Sequence, residues 1–214
     1  MLGSALGISP REVNEQWLKT ERFQMGIVGF HGGNANDLWQ IRKYETKQIS
    51  GFSKGEQPAP YKTAVIVREL LYATRFILYL SFPESADYET IAAAMKAPAW
   101  ALSLGREDEL VRIEEIKDTE LDEQEGLQFV HTVLPYDVNS IGYKPVLNGF
   151  TSSNLLQEAP RVVSLPVSFQ QKKESEVRIA NQYRLFSFIG SLPVMVANEK
   201  GFKDTEMNAA FQLF

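Results

Sequence analysis

The stretch from Lys62 to Ile113 constrains the fold most, because its hydrophobic pattern switches between strand and helix periods within one short span. Residues 64–71 are rich in β-branched and apolar side chains. Residues 75–82 alternate Phe76, Leu78, Leu80 and Phe82 with Arg75, Ile77, Tyr79 and Ser81, the period-two signature of strands. The join Tyr72-Ala73-Thr74 is short enough to predict antiparallel pairing of the two, and Pro83, which cannot donate to a ladder, ends the second. A helix is expected next. Asp87 is its predicted cap, Ile91 and Met95 share one face four residues apart, and Pro98 lies just past its end. Residues 99–104 then return as a strand. All three strands are expected in one sheet, with the 87–96 helix on one face. Hairpin, helix and returning strand form the second half of a ferredoxin-like β-α-β-β-α-β unit, α+β in class, a scaffold that names no function by itself.

Charge narrows the chemistry. The net charge of −5 and acidic isoelectric point near 5.2 argue against a polyanionic partner until their distribution is considered. Residues 40–75 carry seven bases, Arg42, Lys43, Lys47, Lys54, Lys62, Arg68 and Arg75, against three acids; residues 107–125 carry ten acids against Arg112 and Lys117. The basic segment is suited to phosphates and the acidic one to facing away from them, although ordinary solvated faces would read the same way. With no cysteine and two isolated histidines, disulfides, thiolate catalysis and cysteine-ligated zinc are excluded, and neither a metal site nor a cofactor is expected. No apolar run reaches the length of a membrane span, and the apolar start lacks the basic region of a signal peptide, so a cytoplasmic location without membrane contact is expected.

From the start of the chain, residues 1–8 read as a small-residue helix. Ser9-Pro10-Arg11-Glu12 is a capping-box pattern with proline at the first helical position, predicting a second helical piece to about Lys19 with Trp17 and Leu18 as anchors. Phe23, Met25 and Ile27 mark a strand ending at the turn cluster of residues 29–34, whose glycines fit neither phosphate-cradling nor dinucleotide patterns. Residues 37–61 are too long for a simple connection and combine Trp39, Arg42, Lys43, Tyr44, Lys47, Phe52, Lys54 and Tyr61. Residues 40–49 suit one arm of an extended hairpin and residues 50–60 a loop, with a surface loop whose rings fold back on the protein as the other reading. Beyond Ile113, residues 114–125 are linker-like and set a boundary between an N-terminal domain, 1–116, with an insertion at about 34–61, and a β-rich region, 117–214. There Leu127, Phe129 and His131 alternate as a strand, with His131 a satisfied strand residue rather than a catalyst. Residues 162–169 and 176–189 flank a polar hairpin tip, a short strand spans 194–197, and residues 207–214 form a terminal helix or tail.

Three segments carry a resemblance. Arg68-Glu69-Leu70-Leu71-Tyr72, Tyr79-Leu80, and Pro98 through Leu104-Gly105-Arg106 resemble the R-E-[FL]-L-Y strand, the Y-L strand and the P-x-x-x-L-x-L-G-R turn of the RAMP-superfamily subunit of type I CRISPR Cascade known as the "Cas five" family. Residues 1–8, MLGSALGI, look like that family's small-residue helix. The resemblance covers about the first half of the chain. Family members begin with a strand and a Pro-rich turn before this helix, so the expected sheet lacks its first strand. A start site set too far downstream, a truncated product, or a sheet completed in another way would each account for it. A structure leaving residues 64–71 and 75–82 unpaired would end the family assignment.

The resemblance implies a ferredoxin-like (RRM-like, RAMP) domain with an inserted thumb hairpin and a β-rich C-terminal part. It also implies a non-catalytic role, binding the crRNA 5′ handle beside a repeated backbone subunit and a large subunit, with target DNA met only indirectly. Arg42, Lys43, Tyr44, Lys47, Lys62, Arg68 and Arg106 are then the expected RNA contacts, and Trp39 and Phe52 the candidates for base stacking. Arg106 could equally pair with Glu107 or Asp108, and Arg68 with Glu69. One branch of the family cuts the CRISPR repeat with a tyrosine and an adjacent lysine-histidine pair. Here His31 follows Phe30 and His131 follows Val130, so cleavage would have to recruit Lys62 or Tyr61 without a neighbouring histidine. A ferredoxin-like module that binds a small molecule or protein remains the third reading.

Overall fold

The computed structural model describes residues 1–18, 21–43, 62–104, 109–147, 158–171 and 178–214. These fall into two compact units, one made of Met1–Val28 and Phe76–Phe214, the other of Gly29–Arg75.

In the first unit the chain opens on helix α1 (Leu2–Leu6), ended by Gly7 at φ 69°, a left-handed conformation that glycine adopts without steric cost. Helix α2 (Pro10–Val13) follows. Glu12 N–H donates to Ser9 Oγ at 3.3 Å and Ser9 N–H to Glu12 Oε2 at 2.8 Å, so the expected capping box forms, and these bonds hold the Glu12 carboxyl below its usual range. A π-helical turn, Asn14–Leu18, buries Trp17 but leaves Leu18 exposed, so only one of the two expected anchors is seated.

A five-stranded sheet in the order β4-β1-β7-β10-β9 forms the frame. Its strands are β1 (Gln24–Phe30), β4 (Arg75–Ser81), β7 (Thr132–Leu134), β9 (Arg161–Gln171) and β10 (Arg178–Ile189). The expected hairpin of β9 and β10 is present and antiparallel, with irregularities on either side of Gln182; its tip lies outside the described residues. Two three-stranded sheets complete the unit. One is β6-β11-β8 (Gln128–Phe129, Val194–Val196, Tyr143–Pro145); the other is β13-β12-β5 (Ala209–Phe211, Lys200–Asp204, Glu123–Glu125). Leu127, Phe129, Leu134, Val138, Ile189, Val194, Val196 and Ala210 make a shared core. The class is α+β and rich in strand.

Several expectations are corrected. Residues 75–81 do not pair with residues 64–71: β3 (Lys62–Tyr72) pairs with β2 (Gly33–Lys43), while β4 lies beside β1. The end of β3 is engaged on the β2 side, where the Gly32 N–H donates to Tyr72 O at 2.8 Å. Ala73 then adopts φ 49°, and the chain passes from this ribbon into the five-stranded sheet. Residues 99–104 do not return as a strand. The Ala99 and Trp100 N–H groups donate to the carbonyls of Ala5 and Ser4 at 3.0 Å each, groups freed by the end of α1, which leaves one isolated bridge between Ser103 and Leu110.

Helix α3 (Ser85–Lys96) begins earlier than expected, with Glu84 at its N-cap and no side-chain cap bond. Asp87 is instead buried in the first turn. It accepts from Arg22 Nε at 2.7 Å and from Arg22 Nη2, and the guanidinium lies 4.4 Å from the Trp17 ring centroid. His131 is a turn residue at φ 54° between β6 and β7, its N–H donating to Gly190 O at 3.0 Å. The expected helix or tail at residues 207–214 contains strand β13. Phe211 there is fully buried and stacks on Tyr79 with centroids 3.7 Å apart.

The buried Tyr79 hydroxyl donates to Asp204 Oδ2 at 2.9 Å. The other oxygen of Asp204 accepts from the N–H groups of Glu206 and Met207, so one carboxylate closes the β12–β13 turn and fixes the tyrosine. Tyr79→Phe leaves that buried oxygen without its donor and should cost about 1–3 kcal/mol, read from urea unfolding. Burial, and then the bond to Asp204 and its charge, push the Tyr79 phenol well above its usual range. A pKa raised in the folded state contributes stability that is present below the unfolded tyrosine value, about 10, and is lost as pH rises beyond it. Alkaline destabilisation should therefore be shallower in Tyr79→Phe than in the parent.

Candidate nucleic-acid interface

The second unit is built on the two-stranded ribbon of β2 and β3. Their register is continuous over eleven pairs, from Gly33↔Tyr72 to Lys43↔Lys62. The Gly32 N–H donates to Tyr72 O at 2.8 Å and Asn34 Nδ2 to Glu69 Oε1 at 2.9 Å, closing the end near the turn. His31 belongs to that turn, with Nδ1 3.2 Å from Gly33 O.

The expected contact residues divide by position. Lys43 stands directly opposite Lys62, and Arg42 opposite Thr63; Lys62 is exposed. The register thus brings these three basic positions to one end of the ribbon. Midway along, Arg68 faces Asp37 and Trp39 faces Ile66. The Arg68 guanidinium lies 4.2 Å from the Trp39 ring centroid, a cation–π pair worth roughly 0.5–2 kcal/mol that holds the indole at a fixed place on the ribbon. Tyr44, Lys47, Phe52 and Tyr61 fall in residues 44–61, and Arg106 in residues 105–108, all outside the described residues.

Sequence reasoning missed how much apolar surface the ribbon exposes. Leu38 is 70% exposed, Val67 62% and Tyr72 74%, so apolar side chains on both strands of the ribbon face solvent. The signal was Arg68-Glu69 in the middle of the run, since a strand buried on both faces has no place for two adjacent charges.

A family model described as "CRISPR-associated protein (Cas_Cas5)" matches residues 1–187. The chain belongs to this CRISPR-associated Cas_Cas5 family. Among solved structures, a chain described as "CRISPR RNA-guided surveillance complex" is similar at 16% identity, covering 92% of this chain and 76% of that one, with a TM-score of 0.42. No curated protein matches the chain. Membership stands although β3 pairs with β2 and not with β4, so the expectation that a structure without that pairing would end the assignment is corrected. In this family member, no helix among the described residues is long and apolar enough to cross a membrane, and no group of potential metal-ligating side chains is found among them.

Proposed function

We propose that this Cas_Cas5 chain is a non-catalytic subunit of a type I Cascade complex. It binds the 5′ handle of the crRNA and sits beside a repeated backbone subunit and the large subunit. The observation that carries the reading is the pair of facing cations, Lys43 and Lys62, with Arg42 adjacent, on an apolar ribbon of a CRISPR-associated chain. Basic positions gathered at one end of a ribbon favour a polyanion, and the exposed apolar residues of the same ribbon favour burial against protein subunits. Tyr44, Lys47 and Arg106 are proposed as further RNA contacts, and Phe52 and Trp39 as stacking platforms.

The test uses RNA carrying a repeat-derived 5′ handle. Binding without strand scission is expected, weakening steeply with salt. Loss of a phosphate contact, as in Lys62→Ala or Arg42→Ala, should reduce the slope of log affinity against log salt by roughly 0.7. Trp39→Ala should lower affinity with little change of slope. Glu114→Gln combined with Glu115→Gln is the control and should leave affinity unchanged or slightly higher. Cleaved repeat RNA would establish the endoribonuclease reading instead, and absence of RNA binding would leave a protein or small-molecule module.

A further inference from the structure

The five-stranded sheet is set apart from the rest of the chain by its charge. Its strands β4, β1, β7, β9 and β10 hold none of the 27 acidic residues of a chain whose net charge is −5, yet they carry four arginines, Arg75, Arg161, Arg178 and Arg184. A sheet free of acids in an acidic protein suits an anionic partner.

The register gathers two of these arginines around one ring. Phe188 of β10 faces Arg161 on β9 and Val133 on β7. On the opposite side of the same strands Ser187, Ile189, Thr132 and Leu134 are buried, so this row is turned away from them. Arg184 lies four residues before Phe188 with unbroken register between the two, which puts it on the same side and roughly 14 Å along the strand. Arg161 and Arg184 are both exposed, and neither forms an ion pair among the described residues. The nearest acid in sequence, Glu158, is itself exposed. Phe188 is 39% exposed, whereas Phe186 on the same side is buried beside the Phe214 ring. One open ring is left, flanked by two guanidinium groups.

That chemistry fits one class of ligand. An aromatic ring stacks on a nucleobase whatever its identity, guanidinium groups meet the phosphates on either side, and paired strands present all three at low ordering cost. We infer that Arg161, Phe188 and Arg184 form a binding site for single-stranded nucleic acid that reads no particular sequence. The site belongs to the first unit and uses none of the ribbon's cations, so it stands whether or not Lys43 and Lys62 meet the crRNA handle.

The experiment titrates the full chain into fluorescein-labelled single strands of sequence unrelated to the repeat, one RNA and one DNA, reading anisotropy. Saturable binding is expected, and the tighter strand tells an RNA source from a DNA one. Phe188→Ala should weaken binding about tenfold at constant salt slope, while Phe188→Tyr binds like the parent. Arg161→Gln and Arg184→Gln should each reduce the slope of log affinity against log salt by roughly 0.7, with unchanged far-UV circular dichroism. The same losses should appear in a Lys62→Ala background. Arginine variants that bind like the parent while Lys62→Ala loses affinity would overturn the inference and leave the ribbon reading standing; the reverse pattern would uphold the inference and remove the ribbon. No binding of either strand would overturn it as well. So would polyglutamate that competes as well as unlabelled RNA, capture of phosphatidylglycerol vesicles lost in Arg161→Gln, or self-association abolished by Phe188→Ala, which point in turn to an acidic protein, a lipid surface and a second copy of the chain.

Discussion

Phe211→Ala should lower the free energy of unfolding by about 3–5 kcal/mol, the range for truncating a fully buried aromatic side chain. Phe211 is 1% exposed, stacks on Tyr79 of the five-stranded sheet, and lies 5.9 Å from Phe202 of its own small sheet, centroid to centroid. Few domains hold more than about 5–15 kcal/mol in total, so the variant should also accumulate poorly. A second substitution checks the geometry. A Cβ added at Gly26 would fall 2.4 Å from Phe211 Cδ2 and 2.9 Å from Gln212 O. Gly26→Ala is therefore strongly destabilising alone and costs less in the Phe211→Ala background, because the ring it strikes is gone. Denaturant midpoints of the two single variants and the double variant give the coupling, and strict additivity would show that the ring does not sit against Gly26.

Arg22→Ala should cost about 3–5 kcal/mol and Asp87→Ala distinctly less. The pair is asymmetric: the Asp87 side chain is 5% exposed and that of Arg22 39%. Removing the arginine leaves a carboxylate buried without its partner, the costly way to break such a pair. Removing the aspartate leaves a guanidinium that still reaches water and still lies over Trp17. The double variant Arg22→Ala with Asp87→Ala should recover part of the Arg22→Ala loss, since no lone buried charge remains. Equal losses from the two single variants would show that the buried, unpartnered carboxylate does not set the energy.

How much of this was legible in the sequence depended on whether the signal was local. The capping box at Ser9 and Glu12, the helix ending near Lys96, the β9–β10 hairpin and the 194–196 strand are written in residues three to a dozen apart, and each forms. Pairing is not local. Whether Leu70 meets β2 or β4 is decided by a turn at Ala73 and by which strand offers a matching edge, and hydrophobic alternation is blind to both. Asp87 looked like a cap because caps are read from neighbours, whereas its partner Arg22 is far away in sequence. Residues 99–104 have strand composition, but their N–H groups are taken by carbonyls at the end of α1, a competition no window of sequence displays. At the interface, the family segments pointed to Arg68 and the basic run to Arg42, Lys43 and Lys62. That Lys43 and Lys62 stand face to face, and that Arg68 lies over Trp39, required the ladder register.

The C-terminal residues carry a kinetic consequence. Met25 and Phe214 exchange backbone hydrogen bonds, Met25 N–H to Phe214 O at 2.9 Å and Phe214 N–H to Met25 O at 3.0 Å, and the Phe214 ring lies 5.3 Å from that of Phe186, centroid to centroid. Strand β1 thus waits for a residue far later in the chain before its ladder is filled. Contacts of such long sequence separation slow folding, and an unpaired strand exposed in the meantime invites association with other chains. A nascent chain stalled before Phe211 would hold β1 and Tyr79 without the ring that covers them, a state for chaperones to guard.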